Sequence, residues 1–209
     1  MLPIRDHNPS ERLPYVTYTL MAINIAVYLF GLATLTNDLA ISQFYYDYAL
    51  IPARFSAGEN YGALITSMFL HAGLMHLAGN MLFLWIFGDN LEDKMGHIPF
   101  LIFYLVSGIG ADIAQFALDP YSPIPVVGAS GAIAGVMGGY LLLFPKAKVD
   151  IFIFLITFIR ILPIPAWIML GLWFGLQLFN GIAADASAVG VAYWAHAGGF
   201  IGGFVLTVP

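Results

Sequence analysis

The stretch Y-V-T-Y-T-L-M-A-I-N-I-A-V-Y-L-F-G-L-A-T-L-T, residues 15–36, decides the fold of this chain. It contains no charged residue, and a helix that crosses a bilayer needs about 20 mainly apolar residues. Arg5 and Arg12 precede it, but a cleaved signal peptide has an apolar core of only about 7–15 residues and a small-residue cleavage site. The stretch therefore predicts a retained first membrane helix.

The rest of the chain is equally poor in charge. Its 209 residues are 60% hydrophobic and 9% charged, with a mean hydropathy of +0.86, whereas soluble domains carry about 25% charged residues. Such a chain cannot cover itself with polar surface, so a lipid bilayer must cover part of it. The formal net charge of -5 argues against a nucleic-acid partner. The chain has no cysteine, which excludes disulfides, cysteine-ligated zinc and a thiol nucleophile.

Five further apolar runs follow the first. We predict an all-α, polytopic membrane protein with one domain, residues 1–209, and six spanning helices at 15–36, 71–88, 97–117, 130–145, 165–182 and 190–208. The run from Val149 to Leu162 is also apolar, but Arg160 interrupts it and prolines follow it. We interpret this run as an interfacial loop, and a seventh span is the alternative.

Lysine and arginine predict the orientation. With six spans, the side that holds the N-terminus carries all but one of the seven basic residues, and the other side carries only Arg54. Basic residues are in excess in cytoplasmic loops, so we place the N-terminus in the cytoplasm and the protein in the cell membrane. The even-numbered helices then begin near the outer face. Their first turns carry the polar residues His71, His76, Asn80, Ser130 and His196.

Ser130 has the surroundings that a nucleophile needs. It stands in V-V-G-A-S-G-A-I-A-G, at the predicted start of the fourth helix, where backbone N–H groups lack partners and developing negative charge is favoured. Gly128 and Gly131 let backbone and substrate approach closely. Exposure and donors aimed at an oxyanion are what serine catalysis requires. The alternative is a serine that only packs between helices.

His196 is the candidate base. Ionisable residues within a membrane usually face the interior of the bundle. Gly199 and Gly203 lie on the same face of its helix, and small residues at this spacing let helices pack closely. Packing against the small-residue face of the fourth helix would bring the imidazole within reach of Ser130. The alternative is that both faces are packing seams and that a neighbouring helix satisfies the histidine.

Five more polar residues are candidates for the site. His76 and Asn80 are four residues apart and share a helix face, from which both could donate to an oxyanion; the alternative is that the amide only joins helices. His71 lies off that face and could order the first loop. No spacing connects Asp112 or Asp185 to the candidate base, and a serine and a base also work as a pair.

Four motifs, in this order, resemble those of the rhomboid intramembrane serine proteases. They are H-A-G-L-M-H-L-A-G-N (71–80), G-D-N-L-E-D-K-M-G (88–96), G-A-S-G (128–131) and A-H-A-G-G-F-I-G-G (195–203). The resemblance covers nearly the whole chain. It implies a six-helix bundle with a water-accessible cavity open to the outer face, without metal or cofactor. The implied substrates are single-span membrane proteins, cut near the outer end of their helix through an acyl-enzyme.

The resemblance also implies a role for each matching residue. Ser130 is the expected nucleophile and His196 the expected general base, in a dyad without an acid. The expected oxyanion hole consists of the side chains of His76 and Asn80 and the backbone N–H groups of Ser130 and Ala129. The expected structural residues of the second-to-third loop are Glu92 and Gly96. The expected supporting residues are His71, Gly128, Gly131, Gly199 and Gly203.

Three departures accompany the resemblance. The tyrosine against which the family's histidine stacks is replaced by Ala134, so another group must hold the imidazole. The Trp-Arg pair of the first outer loop is replaced by Gly62 and Ala63. The chain stops at Pro209, so we expect that a cytoplasmic tail is missing or was removed. We also expect the small-residue segment from Ile182 to Val189 to act as a mobile cap.

Two other classes of protein stay open. A proton-coupled transporter or channel would also place histidines at one depth, but it would not need G-A-S-G at a helix start. Transporters also often contain matching broken helices in two halves, which this sequence does not show. An inactive relative that only binds other membrane proteins is opposed by the presence of both Ser130 and His196.

Overall fold

The computed structural model describes residues 2–155, 158–183 and 190–208. Within these ranges the chain forms helices and one small sheet. The strands are β1 (Leu2–Asp6), β2 (Lys148–Leu155) and β3 (Phe158–Pro165). The helices are α1 (Tyr15–Thr34), α2 (Asp38–Tyr48), α3 (Pro52–Ser56), α4 (Ala63–Thr66), α5 (Leu74–Met95), α6 (His97–Leu118), α7 (Ser130–Leu143), α8 (Ala166–Ala183) and α9 (Tyr193–Leu206), with a 3-10 turn at Ser67–Phe69.

A helix occupies each of the six ranges in which the sequence predicts a span: α1, α5, α6, α7, α8 and α9. Of the described helices, α1, α6 and α8 are each long and apolar enough to cross a membrane. The segment Ala63–Phe69 and α5 reach this criterion together, with a bend of 96° between them. The chain is therefore a membrane protein with three such helices, or four when the bent pair is counted as one.

The described residues of the run from Val149 to Leu162 form the strands β2 and β3, so the alternative of a seventh spanning helix is wrong and the all-α prediction is corrected to a mostly helical fold. The run is extended rather than an irregular loop, and its position at the membrane interface stays a prediction. β2 pairs antiparallel with β3, with Ile151 opposite Leu162, and β1 pairs antiparallel with the other edge of β2. The run is rich in isoleucine and phenylalanine, which favour strands. Apolar periodicity alone does not separate a short buried strand from a helix.

α7 is the central helix, and every residue from Gly131 to Tyr140 is buried. Its glycines bring it into direct backbone contact with α9. A Cβ atom at Gly199 would overlap the carbonyl oxygen of Gly131, and one at Gly203 would overlap the carbonyl oxygen of Gly135. Glycine is therefore required wherever the two backbones touch.

Glu92 joins the ends of three helices at the opposite end of the bundle. Its buried carboxylate accepts the backbone N–H groups of Val16 at 2.8 Å and Thr17 at 2.7 Å, and the Thr17 hydroxyl at 2.7 Å. It also lies 2.6 Å from Nδ1 of His97, at the start of α6. The first N–H groups of a helix need such acceptors. Gly96, with φ +85°, ends α5 and donates its N–H to the Glu92 carbonyl.

Candidate active site

Ser130 is the first residue of α7, so its backbone N–H lies among the unpaired donors of a helix start. The chain reaches it through Gly128, whose N–H donates to the Ser67 carbonyl at 2.9 Å. Gly128 has φ +124°, and a Cβ atom there would lie 2.7 Å from Nε2 of His76 and 3.5 Å from Oγ of Ser130. This glycine is therefore required by its backbone conformation and by the close approach of the His76 ring.

The Ser130 hydroxyl and the His196 imidazole lie within hydrogen-bond distance. Oγ is 2.8 Å from Nε2, which is the separation that proton transfer between a nucleophile and a base needs. The contact between Gly199 and Gly131, next to these two residues on α9 and α7, fixes the spacing of the backbones that carry them. The structure thus brings the two side chains together from separate helices.

The other side of the imidazole is held by α8. Nδ1 of His196 lies 2.8 Å from Oε1 of Gln177. The ring of Trp173, one turn earlier on α8, lies 5.8 Å from the imidazole at an angle of 34°. Ala134 is fully buried and offers only a methyl group. Neither α8 residue was predicted from the sequence, although an amide within an apolar span is itself a signal.

The other expected oxyanion residues lie on α5 and at the start of α7. His76 places its ring beside Gly128, as described above. Asn80 is buried one turn later and donates Nδ2 to the His76 carbonyl at 3.1 Å; this bond uses one of the two amide hydrogens. Ala129 is fully buried, and its carbonyl accepts the N–H of Ile133 at 2.9 Å.

His71 and Asp112 lie behind the site. The ring of His71 is buried and meets the ring of His76 edge-on, with centroids 5.0 Å apart. Asp112 is buried on α6 and accepts the Ser67 hydroxyl at 2.9 Å. Because Ser67 also binds Gly128, Asp112 supports the segment that leads to the nucleophile candidate. Asp185 and residues 184–189 of the expected cap lie outside the described residues.

The segment between α1 and α5 is anchored without a Trp-Arg pair. Gly62 and Ala63 stand at the start of α4, and Ala63 is buried. The guanidinium of Arg54 instead lies 3.7 Å from the ring centroid of Tyr46 and binds Glu59 at 3.0 Å. The Thr66 hydroxyl donates to the carbonyl at the end of α2 at 2.7 Å. In the part of the chain that the structure describes, no group of three histidine or acidic residues could hold a metal ion.

These features define a class: a helical membrane protein in which one helix start presents a serine hydroxyl to a histidine. Residues 58–209 match the family model described as Rhomboid domain, which is more than half of the chain. The chain belongs to the rhomboid family.

Curated relatives agree with this assignment. The chain is 33% identical to the rhomboid protease GluP of Bacillus subtilis over 190 residues, which cover 90% of this chain and 34% of that protein. It is 33% identical to the mitochondrial rhomboid protein 1 of Saccharomyces cerevisiae over 159 residues, 73% of this chain and 42% of that protein. It is 40% identical to the putative rhomboid protease YdcA of Bacillus subtilis over 85 residues, 41% of this chain and 42% of that protein. The chain thus spans less than half the length of these relatives.

Proposed function

We propose that this chain is an intramembrane serine endopeptidase that cleaves the membrane-spanning segments of other proteins. The observation that carries the proposal is the distance of 2.8 Å between Oγ of Ser130 and Nε2 of His196. Membership of the rhomboid family supports it, since the similar GluP and YdcA are named as proteases. A metal is not needed for this reaction.

The reaction begins when Nε2 of His196 takes the proton of the Ser130 hydroxyl while Oγ attacks the scissile carbonyl carbon. The carbonyl oxygen becomes an oxyanion, which the backbone N–H groups of Ser130 and Ala129 and the side chains of His76 and Asn80 stabilise. The C–N bond then breaks, and the imidazolium gives its proton to the leaving amine. Water, activated by the same imidazole, hydrolyses the acyl-enzyme and restores the hydroxyl.

The helix lengths support cleavage below the outer membrane surface. In our proposal the six helices span the bilayer, with the N-terminus in the cytoplasm and the site in a cavity open to the outer face. α7 has 14 residues and is therefore about 21 Å long, whereas the hydrocarbon core is about 30 Å thick. A helix this short cannot reach both surfaces, and in our proposal its first residue lies below the outer one. Ser130 would then meet a single-span substrate near the outer end of its helix.

Covalent labelling tests this proposal. A fluorophosphonate should label the purified protein at Ser130, and both Ser130→Ala and His196→Ala should abolish labelling and cleavage of a reporter membrane helix, because each removes one half of the proton transfer. Ser107→Ala is the matched control, since it removes another buried hydroxyl, and it should retain both signals. Cleavage by Ser130→Ala at the wild-type rate would refute the proposed nucleophile.

A further inference from the structure

We propose that Gln177 is a positioning residue that holds His196 in the tautomer able to accept the Ser130 proton. This role rests on the proposed protease function. The geometry is a continuous chain of three side chains. Oγ of Ser130 lies 2.8 Å from Nε2 of the imidazole, and Nδ1 on the opposite side lies 2.8 Å from Oε1 of Gln177.

The amide oxygen selects one tautomer of the ring. A neutral imidazole carries one N–H and one bare nitrogen, and an amide oxygen can only accept. Gln177 therefore favours the proton on Nδ1, which leaves the lone pair on Nε2 for the Ser130 hydroxyl. In the other tautomer, Nε2–H would point at that hydroxyl and could not take its proton. The hydrogen bond thus decides whether His196 can act as a base.

The same bond persists through the reaction. When Nε2 gains the proton, Nδ1–H still donates to the amide oxygen of Gln177, so the imidazolium keeps an acceptor in apolar surroundings. The amide adds no second charge to the site, whereas a carboxylate would need its own compensation there. An uncharged acceptor therefore suits a histidine that lies between membrane helices.

The burial of α8 indicates that the amide is aimed at α9. The buried residues of this helix are Ala166, Leu170 and Gln177, which share one face. Gln177 is 9% exposed, and a buried polar group without a partner is costly. Its bond to His196 offsets that cost.

Trp173 restrains the imidazole from the same helix. It lies one turn before Gln177, with its ring 5.8 Å from the His196 ring and 6.0 Å from the Phe200 ring. The flat indole limits how far the imidazole can tilt, while the amide fixes its rotation. α8 thereby supplies the ring that restrains the imidazole, which Ala134 of α7 lacks.

Two variants at Gln177, in the protein reconstituted in lipid nanodiscs, test the role in turnover. Gln177→Leu removes the acceptor and should lower kcat for a reporter substrate at least about 10-fold, a part of the 10²–10⁴ that a positioned base contributes, with little change in KM. Gln177→Glu should restore most of the loss, because a carboxyl oxygen at the same reach accepts from Nδ1–H. Asn180→Leu removes another amide of α8 and should leave kcat unchanged.

The tautomer itself gives a readout that does not depend on cleavage. In histidine-¹⁵N-labelled protein, with the His196 signals assigned from their loss in His196→Ala, NMR should show Nδ1–H in the wild type and a shift toward Nε2–H in Gln177→Leu. An unchanged tautomer would overturn the proposal even if kcat falls, and an unchanged kcat would overturn it even if the tautomer shifts. Failure of the protease proposal itself would appear instead as a wild-type protein that neither reacts at Ser130 nor cleaves.

Discussion

The two ends of α7 are held in different ways. From the end that begins with Ser130 as far as Gly138, backbone lies against the backbone of α9: the carbonyl of Gly131 touches Gly199, and Gly138 lies against the carbonyl of Phe200. Beyond Gly138, hydrogen bonds between side chains hold the helix end and its surroundings. The hydroxyl of Tyr140 donates to Asp6 of β1 at 2.6 Å, and the Glu92 carboxylate nearby binds the start of α1.

The two kinds of contact respond differently to a substitution. A backbone contact has no rotatable part that can move aside, so it fixes the spacing of the helices that carry the hydroxyl and the imidazole. A joint made by side chains tolerates small shifts, but it fails when a buried donor loses its acceptor. We therefore expect the Ser130 end of α7 to be sensitive to the size of a substituted side chain. We expect the opposite end to be sensitive to the loss of a hydrogen-bond acceptor.

We expect the largest effect from a methyl group added at Gly199. In Gly199→Ala the new methyl group would overlap the Gly131 carbonyl, and no side chain can yield. We expect a loss of about 3 kcal/mol in the free energy of unfolding, the upper part of the range for overpacking, and loss of fluorophosphonate labelling because the helices separate. Denaturation by SDS with a labelling assay measures both.

Gly202 provides the matched control for that substitution. It lies on the same helix, but a Cβ atom there meets nothing within 4 Å. Gly202→Ala should keep labelling and leave stability equal or raise it by up to about 1 kcal/mol, since alanine favours helix. Equal behaviour of the two alanine variants would contradict the idea that backbone contact holds this end.

The end near Ser130 was the more predictable one. Small residues four apart, such as Gly199 and Gly203, identify a closely packed helix face from local spacing alone. His196 lies on this face, which meets α7. Ser130 is the first residue of α7, which is where the sequence predicts the start of the fourth spanning helix. Local spacing was sufficient there, because the contact depends on residue size alone.

The opposite end and the α8 contact were less predictable, because their partners are distant in sequence. β1 pairs with β2 across more than half of the chain, and no local pattern indicates that the N-terminus completes a sheet. Gln177 was visible as an amide in an apolar run, but its partner depends on how α8 lies against α9. The short helices between α1 and α5 were also missed, since segments of 4–11 residues carry little periodicity.

We expect the next largest effect when the Glu92 carboxylate is replaced by an amide of the same size. Glu92→Gln keeps the size but turns an amide NH₂ toward the N–H groups of Val16 and Thr17, so at least one buried donor loses its acceptor. We expect the free energy of unfolding to fall by about 2 kcal/mol. The neighbouring Asp93→Asn changes a joint at the surface and should cost less than about 0.5 kcal/mol. Equal losses of unfolding free energy in the two variants would show that burial of the acceptor does not determine the cost.

The smallest expected effect is a pH dependence at Asp6. Burial raises the pKa of this carboxyl from 3.8 to about 6, so the folded protein binds the proton more tightly than the unfolded chain. The resulting stability is present below about pH 4 and is lost as the pH rises through about 6. In Asp6→Asn this slope should become smaller in unfolding curves measured between these values, and the part that remains belongs to carboxyls such as Asp89, whose pKa burial also raises. Asp150→Asn should keep the slope, because the hydrogen bond from Arg5 lowers the pKa of Asp150 and moves its titration below this window. A slope as large in Asp6→Asn as in the wild type would assign the dependence to other groups and would contradict a contribution from the Asp6 carboxyl.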